Sequence, residues 1–136
     1  MKVFRRTIRV KTSKPVELIN VTGEVEEVVR ESGVRNGGVI VFSHHTTMGI
    51  YINEDEERLK RDIIDFLEKL VPKGAGYRHD EIDNNAHSHL RSILLNPSVW
   101  IPVSDGRLMT GTWQSIFLAE FDGPRSRSYT VQVMGE

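Results

Sequence analysis

The alternation of apolar and polar residues predicts two strands at the start of the chain. Residues 3–11 alternate between a mainly apolar face and a face of charged or hydroxyl-bearing side chains. A period of two is typical of a strand with one buried side, and we expect this strand to be antiparallel and near a sheet edge. A turn at residues 13–15 leads into a second, shorter strand around Leu18.

Three later segments have the apolar spacing of amphipathic helices. We expect the first helix to have Thr22 as its N-cap and to end at Gly33. The second helix is predicted to follow Asn53 as its N-cap, with Glu56 completing a capping box. Its apolar stripe comprises Leu59, Ile63, Phe66, Leu67 and Leu70. The third helix is predicted over residues 85–95. Its apolar positions are Ala86, Leu90, Ile93 and Leu94.

The remaining regular segments have the composition of strands. A buried strand follows the glycine pair Gly37-Gly38 and ends at two histidines, and a short strand covers residues 49–53. Later strands are predicted over residues 99–103, 112–121 and 127–134, with the second of them central and covered on both faces. Two to three helices packed on a mostly antiparallel sheet make an α+β fold, which we expect to form a single compact domain over residues 1–136.

Composition restricts the class of function. A chain of 136 residues is long enough to bury its own core, and its net charge of −1 gives no reason to expect a nucleic acid or a membrane as partner. The absence of cysteine excludes disulfides, thiolate metal ligands and cysteine nucleophiles. No apolar run approaches the roughly 20 residues of a spanning helix, and no apolar signal core follows the N-terminal charges. We therefore expect a soluble, cytoplasmic protein.

The five histidines are the most conspicuous chemistry in the chain. His44 and His45 end the buried strand, while His79, His87 and His89 lie in one later window. Neighbours in a strand point to opposite faces, so at most one of the first pair enters a shared site. His87 and His89 diverge by about 200° on a helix, and the helical pattern does not choose between them. Three imidazoles with an open position are typical of a catalytic zinc site.

Two other groups of side chains are candidates for a site. Asp80, Glu81 and Asp83 could orient an imidazole, although loop carboxylates are more often simply solvated. Three arginines at strand ends or turns could bind phosphate through paired hydrogen bonds, or could be solvated. These arginines are Arg107, Arg125 and Arg127. Trp113 is either a core residue or a flat surface for a ligand.

Seven short strings, in this order and at these spacings, resemble the YjbQ family, which is associated with secondary thiamine-phosphate synthase activity. The resemblance extends from about Phe4 to Gly135. The strings are His45-Thr46-Thr47, Asn53 with Asp55, Tyr77-Arg78-His79-Asp80, His89-Leu90-Arg91-Ser92, Ser104-Asp105-Gly106-Arg107, Gly111-Thr112-Trp113-Gln114 and Asp122-Gly123-Pro124-Arg125. Each string alone is weak, but the ordered set is specific.

The resemblance implies a compact α+β fold of antiparallel strands that assembles as a homotrimer. It also implies a divalent metal, with zinc as the first candidate. Carried over position by position, the ligands would be His45, His79 and His89. His44 and His87 are then bystanders, or they support the ligands from behind.

The activity implied by the resemblance joins an aminopyrimidine pyrophosphate to a thiazole phosphate and releases pyrophosphate. Such a reaction needs cations for the leaving pyrophosphate and a flat apolar surface for a heterocycle. We expect Asp80 and Arg125 to be catalytic, with Arg127 as a further cation. The candidate substrate-binding residues are Asn53, Tyr77, Arg107, Trp113, Gln114 and Arg125.

Two alternatives use the same residues. A zinc-dependent hydrolase of small esters or phosphoesters would need Asp80 or Glu81 as general base for a metal-bound water. A non-catalytic trimer would use the histidine site to stabilise its subunit boundary and would bind small ligands without turnover.

Overall fold

The computed structural model describes all 136 residues. Eight strands are present: β1 (Lys2–Lys11), β2 (Glu17–Asn20), β3 (Gly37–Ser43), β4 (Met48–Asn53), β5 (Ser98–Ser104), β6 (Arg107–Leu108), β7 (Ser115–Glu120) and β8 (Ser126–Gly135). Three α-helices accompany them: α1 (Thr22–Ser32), α2 (Glu57–Leu70) and α3 (Ala86–Leu95). A short 3-10 turn, Arg78–Glu81, lies in the connection between α2 and α3.

The strands form two antiparallel sheets. The larger sheet has the order β1-β8-β3-β5-β6, and the smaller has the order β2-β7-β4. β1 pairs with β8 along its whole length and has no second neighbour, so the predicted antiparallel edge strand is confirmed. The predicted α+β fold, with three helices packed on curled antiparallel sheets, is also confirmed.

The main core lies between the two sheets and α1. Val39 and Val131 from the larger sheet meet Ile50 and Leu118 from the smaller sheet, and Val25 of α1 closes the cluster. All five of these side chains are fully buried. Burying one such side chain contributes roughly 1.5–3 kcal/mol, so this cluster is the main source of stability for the sheet arrangement.

The outer side of the smaller sheet has a separate apolar cluster. It contains Leu67 from α2 with Ala119 and Phe121 from the end of β7. Both faces of β7 are therefore covered, as the sequence predicts for a central strand. The strand begins at Ser115, however, three residues after its predicted start. Trp113 precedes it and is 72% exposed, so the interpretation of Trp113 as a core residue is wrong.

Two predicted helix starts are wrong, by one residue in α1 and by three residues in α2. α1 begins at Thr22 itself, and the Asn20 side chain accepts the Thr22 N–H at 3.0 Å. α2 begins later than predicted, because β4 continues through Asn53, which pairs with Ser115. Glu56 is the actual cap of α2, and its carboxylate accepts the first free N–H groups of the helix.

The buried side of α3 differs from the predicted one, because Ala86 alone of the four predicted apolar positions is buried. Leu90, Ile93 and Leu94 are 39%, 69% and 51% exposed, whereas the polar side of the helix is buried. The buried positions on α3 are Ala86, His87, Ser88, Arg91 and Ser92. The helix lies against Gly49 of β4, where an added Cβ would come within 3.0 Å of Leu95. The helix can approach β4 this closely because Gly49 has no side chain.

Two of those buried polar side chains on α3, Ser88 and Arg91, have specific partners, whereas His87 Nδ1 and Ser92 Oγ have none. Ser88 Oγ donates to the Phe121 carbonyl oxygen at 2.6 Å, and Arg91 donates twice to the Val71 carbonyl oxygen at 3.0 and 2.9 Å. These bonds join α3 to the end of β7 and to the chain after α2. None of the helices is long and apolar enough to span a bilayer.

Candidate functional site

An open cleft collects side chains from four parts of the chain. The junction of β3 and β4 contributes His45, the 3-10 turn contributes His79, α3 contributes His89, and the β7–β8 connection contributes Arg125. The cleft has a volume of about 500 Å³, and no hydrophobic residue lines it. The structure therefore brings together the three histidines selected by the resemblance, in surroundings suited to a charged ligand.

His79 and His89 form the best-defined pair in the cleft. Their ring centroids lie 4.8 Å apart and the rings are nearly perpendicular. His79 Nε2 lies 3.1 Å from Asn85 Oδ1, and the buried Asn85 donates from Nδ2 to Asp122 Oδ2 at 2.9 Å. Because Asn85 immediately precedes α3, the same short segment holds the His79 ring and starts the helix that contains His89.

His45 is held by the backbone of β8. Its Nε2 accepts a hydrogen bond from the Ser128 N–H at 2.9 Å. Burial lowers the pKa of His45 below 6.5, the positive charges of Arg127 and His44 lower it further, and Glu120 opposes them. His45 is therefore neutral at pH 7, with the lone pair of Nε2 engaged.

A buried ion pair supports the side of the cleft formed by β7 and β8. Glu120 is fully buried, and its two oxygens accept from the Nε and Nη2 of Arg127, with the Nε bond 2.8 Å long. Thr12 Oγ1 donates to Glu120 at 2.7 Å, and Arg127 Nη2 also donates to Thr47 Oγ1 at 2.8 Å. Most of the hydrogen bonds of Arg127 are thus made within the fold, although the residue still lines the cleft.

The ionisation of Glu120 depends on these bonds. Burial raises the pKa of the carboxyl group, but hydrogen bonds from Arg127, Thr12 and the Asp122 N–H outweigh it and hold the pKa below 4.5. Glu120 is therefore charged at neutral pH and holds Arg127 in place.

Arg125 is the accessible cation of the cleft. Its side chain is 53% exposed, and it donates from Nε to the Asp122 carbonyl oxygen at 2.7 Å and from Nη2 to Asp122 Oδ2 at 3.0 Å. Its Nη1 has no hydrogen-bond partner in the chain. Asp122 also accepts from Asn85, so one hydrogen-bonded series runs from Arg125 through Asp122 and Asn85 to His79.

Asp80 has a structural position rather than a place in the cleft. Its Oδ1 accepts the N–H of Ala86, the first residue of α3, at 3.0 Å. A carboxylate is favourable at a helix N-terminus, where N–H groups lack partners. Asp83 lines the cleft and Asp80 does not, so this placement gives no support to Asp80 as a catalytic carboxylate.

Arg107 lies in a different place from the histidines. It lines a separate cleft of about 450 Å³ between α1 and the β5–β6 hairpin, together with Glu26 and Arg30. Tyr77 comes directly before the 3-10 turn and is half-buried, but it does not line the histidine cleft.

Three further substrate-binding candidates lie at the far end of the smaller sheet. Asn53 ends β4 and pairs with Ser115 at the start of β7, and Trp113 and Gln114 immediately precede Ser115. The histidine cleft lies at the opposite end of the same two strands. A six-residue strand spans roughly 17 Å, so a single protomer does not bring these three residues to the cleft.

His44 and His87 take different positions. His44 lies at the rim of the cleft, where its ring nitrogens lie 3.0 Å from Ser128 Oγ and 2.7 Å from Thr130 Oγ1. His87 is buried on the inward side of α3, and its Nδ1 has no partner. His87 and His89 point to different sides of α3, as their spacing predicts.

The three imidazoles do not surround one point where an ion could be held. No three histidine, aspartate or glutamate side chains lie close enough together to hold a metal ion. A zinc site made of all three rings would also require His45 to give up its bond with Ser128. The side chains as placed do not fit the implied zinc ion, and the metal stays a prediction.

Three residues of the site were not among the predicted site residues, and two of them lack any local signal in the sequence. Asn85 is one of two adjacent asparagines, and Asp122 belongs to an ordinary turn sequence. Glu120 does carry one signal, because it is the only charged residue in the otherwise apolar run of β7. A charge in a strand covered on both faces predicts a buried partner, which is Arg127.

Related proteins span almost the whole chain. A family model described as "UPF0047 protein YjbQ-like" matches residues 6–136. A UPF0047 protein of Methanothermobacter thermautotrophicus is 51% identical over 136 residues, which cover 100% of this chain and 95% of that protein. The UPF0047 protein YugU of Bacillus subtilis is 35% identical over 134 residues, covering 96% of this chain and 98% of its own length.

A solved structure has the same fold. The crystal structure of a YbjQ-like protein of unknown function from Sulfolobus solfataricus is 40% identical in sequence and superposes with a TM-score of 0.98. The match covers 99% of this chain and 99% of that one.

Proposed function

Because the chain belongs to the UPF0047 YjbQ-like family, we propose that it is an enzyme that acts on a small phosphorylated heterocycle in the histidine cleft. Thiamine-phosphate synthase activity is the candidate reaction. The observation that carries the proposal is the lining of the cleft, which combines four histidines with Arg125 and Arg127 and includes no hydrophobic residue.

The cations and N–H groups of the cleft suit a phosphate or a pyrophosphate. Arg125 has a free Nη1 at the rim, and a guanidinium binds phosphate oxygens in a planar, paired geometry. Arg125 is also held in place, because two of its nitrogens are bonded to Asp122. A cation that is already oriented costs little further ordering when an anion binds.

In the candidate reaction the charge on pyrophosphate increases as it leaves the pyrimidine. Arg125 would stabilise this charge at the rim, and the histidines would donate to or accept from the phosphate oxygens and their protons. Glu120 and Thr47 hold Arg127 from behind, so the cleft keeps its shape during the reaction.

An assay with the aminopyrimidine pyrophosphate and the thiazole phosphate tests this proposal. We expect pyrophosphate release by the wild type, a loss of about 10²-fold in His79→Ala, and a comparable loss in Arg125→Ala. Arg61→Ala, on the exposed side of α2, is the matched control and should keep full activity. Hydrolysis of a simple phosphoester without a second substrate would support the hydrolase instead. Equal rates in all variants would show that the cleft takes no part in the reaction.

We also propose that the chain assembles as a homotrimer. Large apolar side chains remain uncovered on several sides of the protomer, including Phe66 at 62% exposure and Trp100 at 54%. Aromatic side chains such as these are enriched at protein interfaces. A closed assembly would also allow Trp113 and Gln114 of one protomer to approach the histidine cleft of another.

A further inference from the structure

The hydrogen bond between His45 and β8 determines where the proton of the ring lies. The Ser128 N–H is a backbone donor and has no acceptor capacity, so His45 Nε2 must contribute its lone pair at 2.9 Å. A neutral imidazole with a lone pair at Nε2 carries its proton at Nδ1. That Nδ1 has no partner in the chain and is not buried, so it is available as a donor at the cleft that His45 lines.

A second series of bonds determines the opposite proton position in His79. The Asp122 carboxylate can only accept hydrogen bonds, and its Oδ2 accepts one from Asn85 Nδ2 at 2.9 Å. The amide of Asn85 is therefore oriented with Oδ1 toward His79 Nε2, 3.1 Å away. Because Asn85 Oδ1 only accepts, the neutral form of the His79 ring carries its proton at Nε2 and has its lone pair at Nδ1.

From these two bonds we infer that His45 and His79 form a complementary pair. His45 donates a hydrogen bond through Nδ1–H to a phosphate oxygen of the ligand, and His79 accepts a hydrogen bond from the ligand through Nδ1. Asn85 is the positioning residue that sets the tautomer of His79. His45 is then a binding residue and not a metal ligand, because one of its nitrogens is engaged and the other carries a proton. The inference rests on the proposed function only for the class of ligand.

Nitrogen-15 NMR of the histidine side chains tests the inference directly, because the two neutral tautomers have different ring nitrogen shifts. The spectrum is recorded at about pH 8, above the ordinary histidine pKa, with unligated protein. We expect His45 in the Nδ1–H form and His79 in the Nε2–H form. His45 in the Nε2–H form, or His79 in the Nδ1–H form, would overturn the inference without any variant being made.

Titrations of the same sample separate a binding role from a metal role. Inorganic phosphate should shift the His45 Nδ1 resonance and its proton while the Nδ1–H form persists. Zinc added at up to equal concentration should perturb His79 and His89 and leave the His45 resonances in place. Loss of the His45 Nδ1 proton on zinc addition would show that His45 binds the metal and would contradict the inference. A His45 Nδ1 resonance that does not shift in saturating phosphate would show that His45 does not bind the anion.

Variants test the positioning role of Asn85. Asn85→Ala should convert His79 to a mixture of both tautomers and leave His45 unchanged, whereas Asn84→Ala, at the exposed neighbouring position, should change neither ring. If Asn85→Ala does not fold, Asp122→Ala offers the same test, because it removes the acceptor that orients the amide. An unchanged His79 tautomer in either folded variant would contradict the role. If both rings have the expected tautomers but the protein shows no turnover, the proposed function is contradicted and the inference about the tautomers is not.

Discussion

At the scale of single residues, the most consequential contact is the buried pair of Glu120 and Arg127. Both residues are almost completely buried, since Glu120 is 0% and Arg127 is 6% exposed. Charges so deeply buried are tolerated only when each has a full set of partners, and here Thr12 and Thr47 complete the set. The pair therefore joins β1, β7, β8 and the segment after His45 into one unit.

Replacing Glu120 with glutamine should cost about 3–5 kcal/mol in the free energy of unfolding, because Arg127 then stays buried without a counter-charge. Urea denaturation of the purified variants measures the loss. The matched control is Glu31→Gln, which breaks the exposed ion pair with Arg6 and should cost at most about 1 kcal/mol. Equal losses in the two variants would contradict the account of the buried pair.

The same carboxylate predicts the response to acid. The pKa of Glu120 lies below 4.5 in the folded chain, so its contribution to stability is complete above pH 4.5 and is lost as the pH falls through the folded pKa. Denaturation curves between pH 7 and pH 3 should therefore show a steeper loss of stability in the wild type than in Glu120→Gln. Parallel curves would mean that the pair has no ionic character.

At the scale of elements, the position of α3 decides the geometry of the cleft. The helix starts beside Asn85, contains His89 and packs closely on Gly49 of β4. The absence of a side chain at Gly49 lets the backbone of Ser92 approach, since an added Cβ would lie 3.3 Å from its carbonyl oxygen. The distance between His89 and His79 therefore depends on a glycine that does not itself line the cleft.

Gly49→Ala should destabilise the chain by about 1–3 kcal/mol, because the new methyl group pushes α3 away from β4. We also expect the His79 and His89 ring resonances to shift. Gly23→Ala is the control, because nothing lies within 4 Å of its added methyl group, and it should be neutral or slightly stabilising. Thermal unfolding followed by circular dichroism separates the two. A neutral Gly49→Ala would show that α3 is not closely packed.

Most elements could be predicted from the sequence, while the way that α3 packs could not. Alternation and turn residues identify β1, β3 and the last strands, because period and local chemistry decide them. The apolar stripe of α3 predicts that Leu90, Ile93 and Leu94 face the core, yet close packing on Gly49 turns a different side inward. The periodicity of one segment does not predict tertiary contacts of this kind.

The site was predictable to a similar degree. The resemblance selects His45, His79 and His89, and the structure places all three at one cleft. Asn85 and Asp122 were not predicted, because an asparagine before a helix and an aspartate in a turn are common for local reasons. Their role depends on a bond between residues 37 positions apart, which only the folded chain reveals.

At the scale of the whole molecule, one protomer separates groups that the resemblance would bring together. The histidine cleft and the Asn53–Trp113 end of the smaller sheet lie at opposite ends of the same strands. Apolar side chains are also uncovered on both α2 and α3. These features are consistent with an assembly in which neighbouring protomers complete one another. The cytoplasmic location stays a prediction.

Light scattering after size-exclusion chromatography should give three times the chain mass of 15.5 kDa. Burial of apolar side chains such as Phe66 supplies the driving force, so the assembly should persist in high salt. A monomeric mass at micromolar concentration would contradict the trimer and would leave Trp113 and Gln114 outside the site.

The central claim is that the polar cleft binds the phosphate groups of the ligand. Isothermal titration of pyrophosphate into the wild type, Arg125→Ala and the control Arg61→Ala tests it most directly. We predict one binding site per chain, a loss of about tenfold or more in affinity in Arg125→Ala, corresponding to about 1.4 kcal/mol or more, and no change in Arg61→Ala. Absence of pyrophosphate binding by the wild type, or equal affinity in all three proteins, would contradict the account.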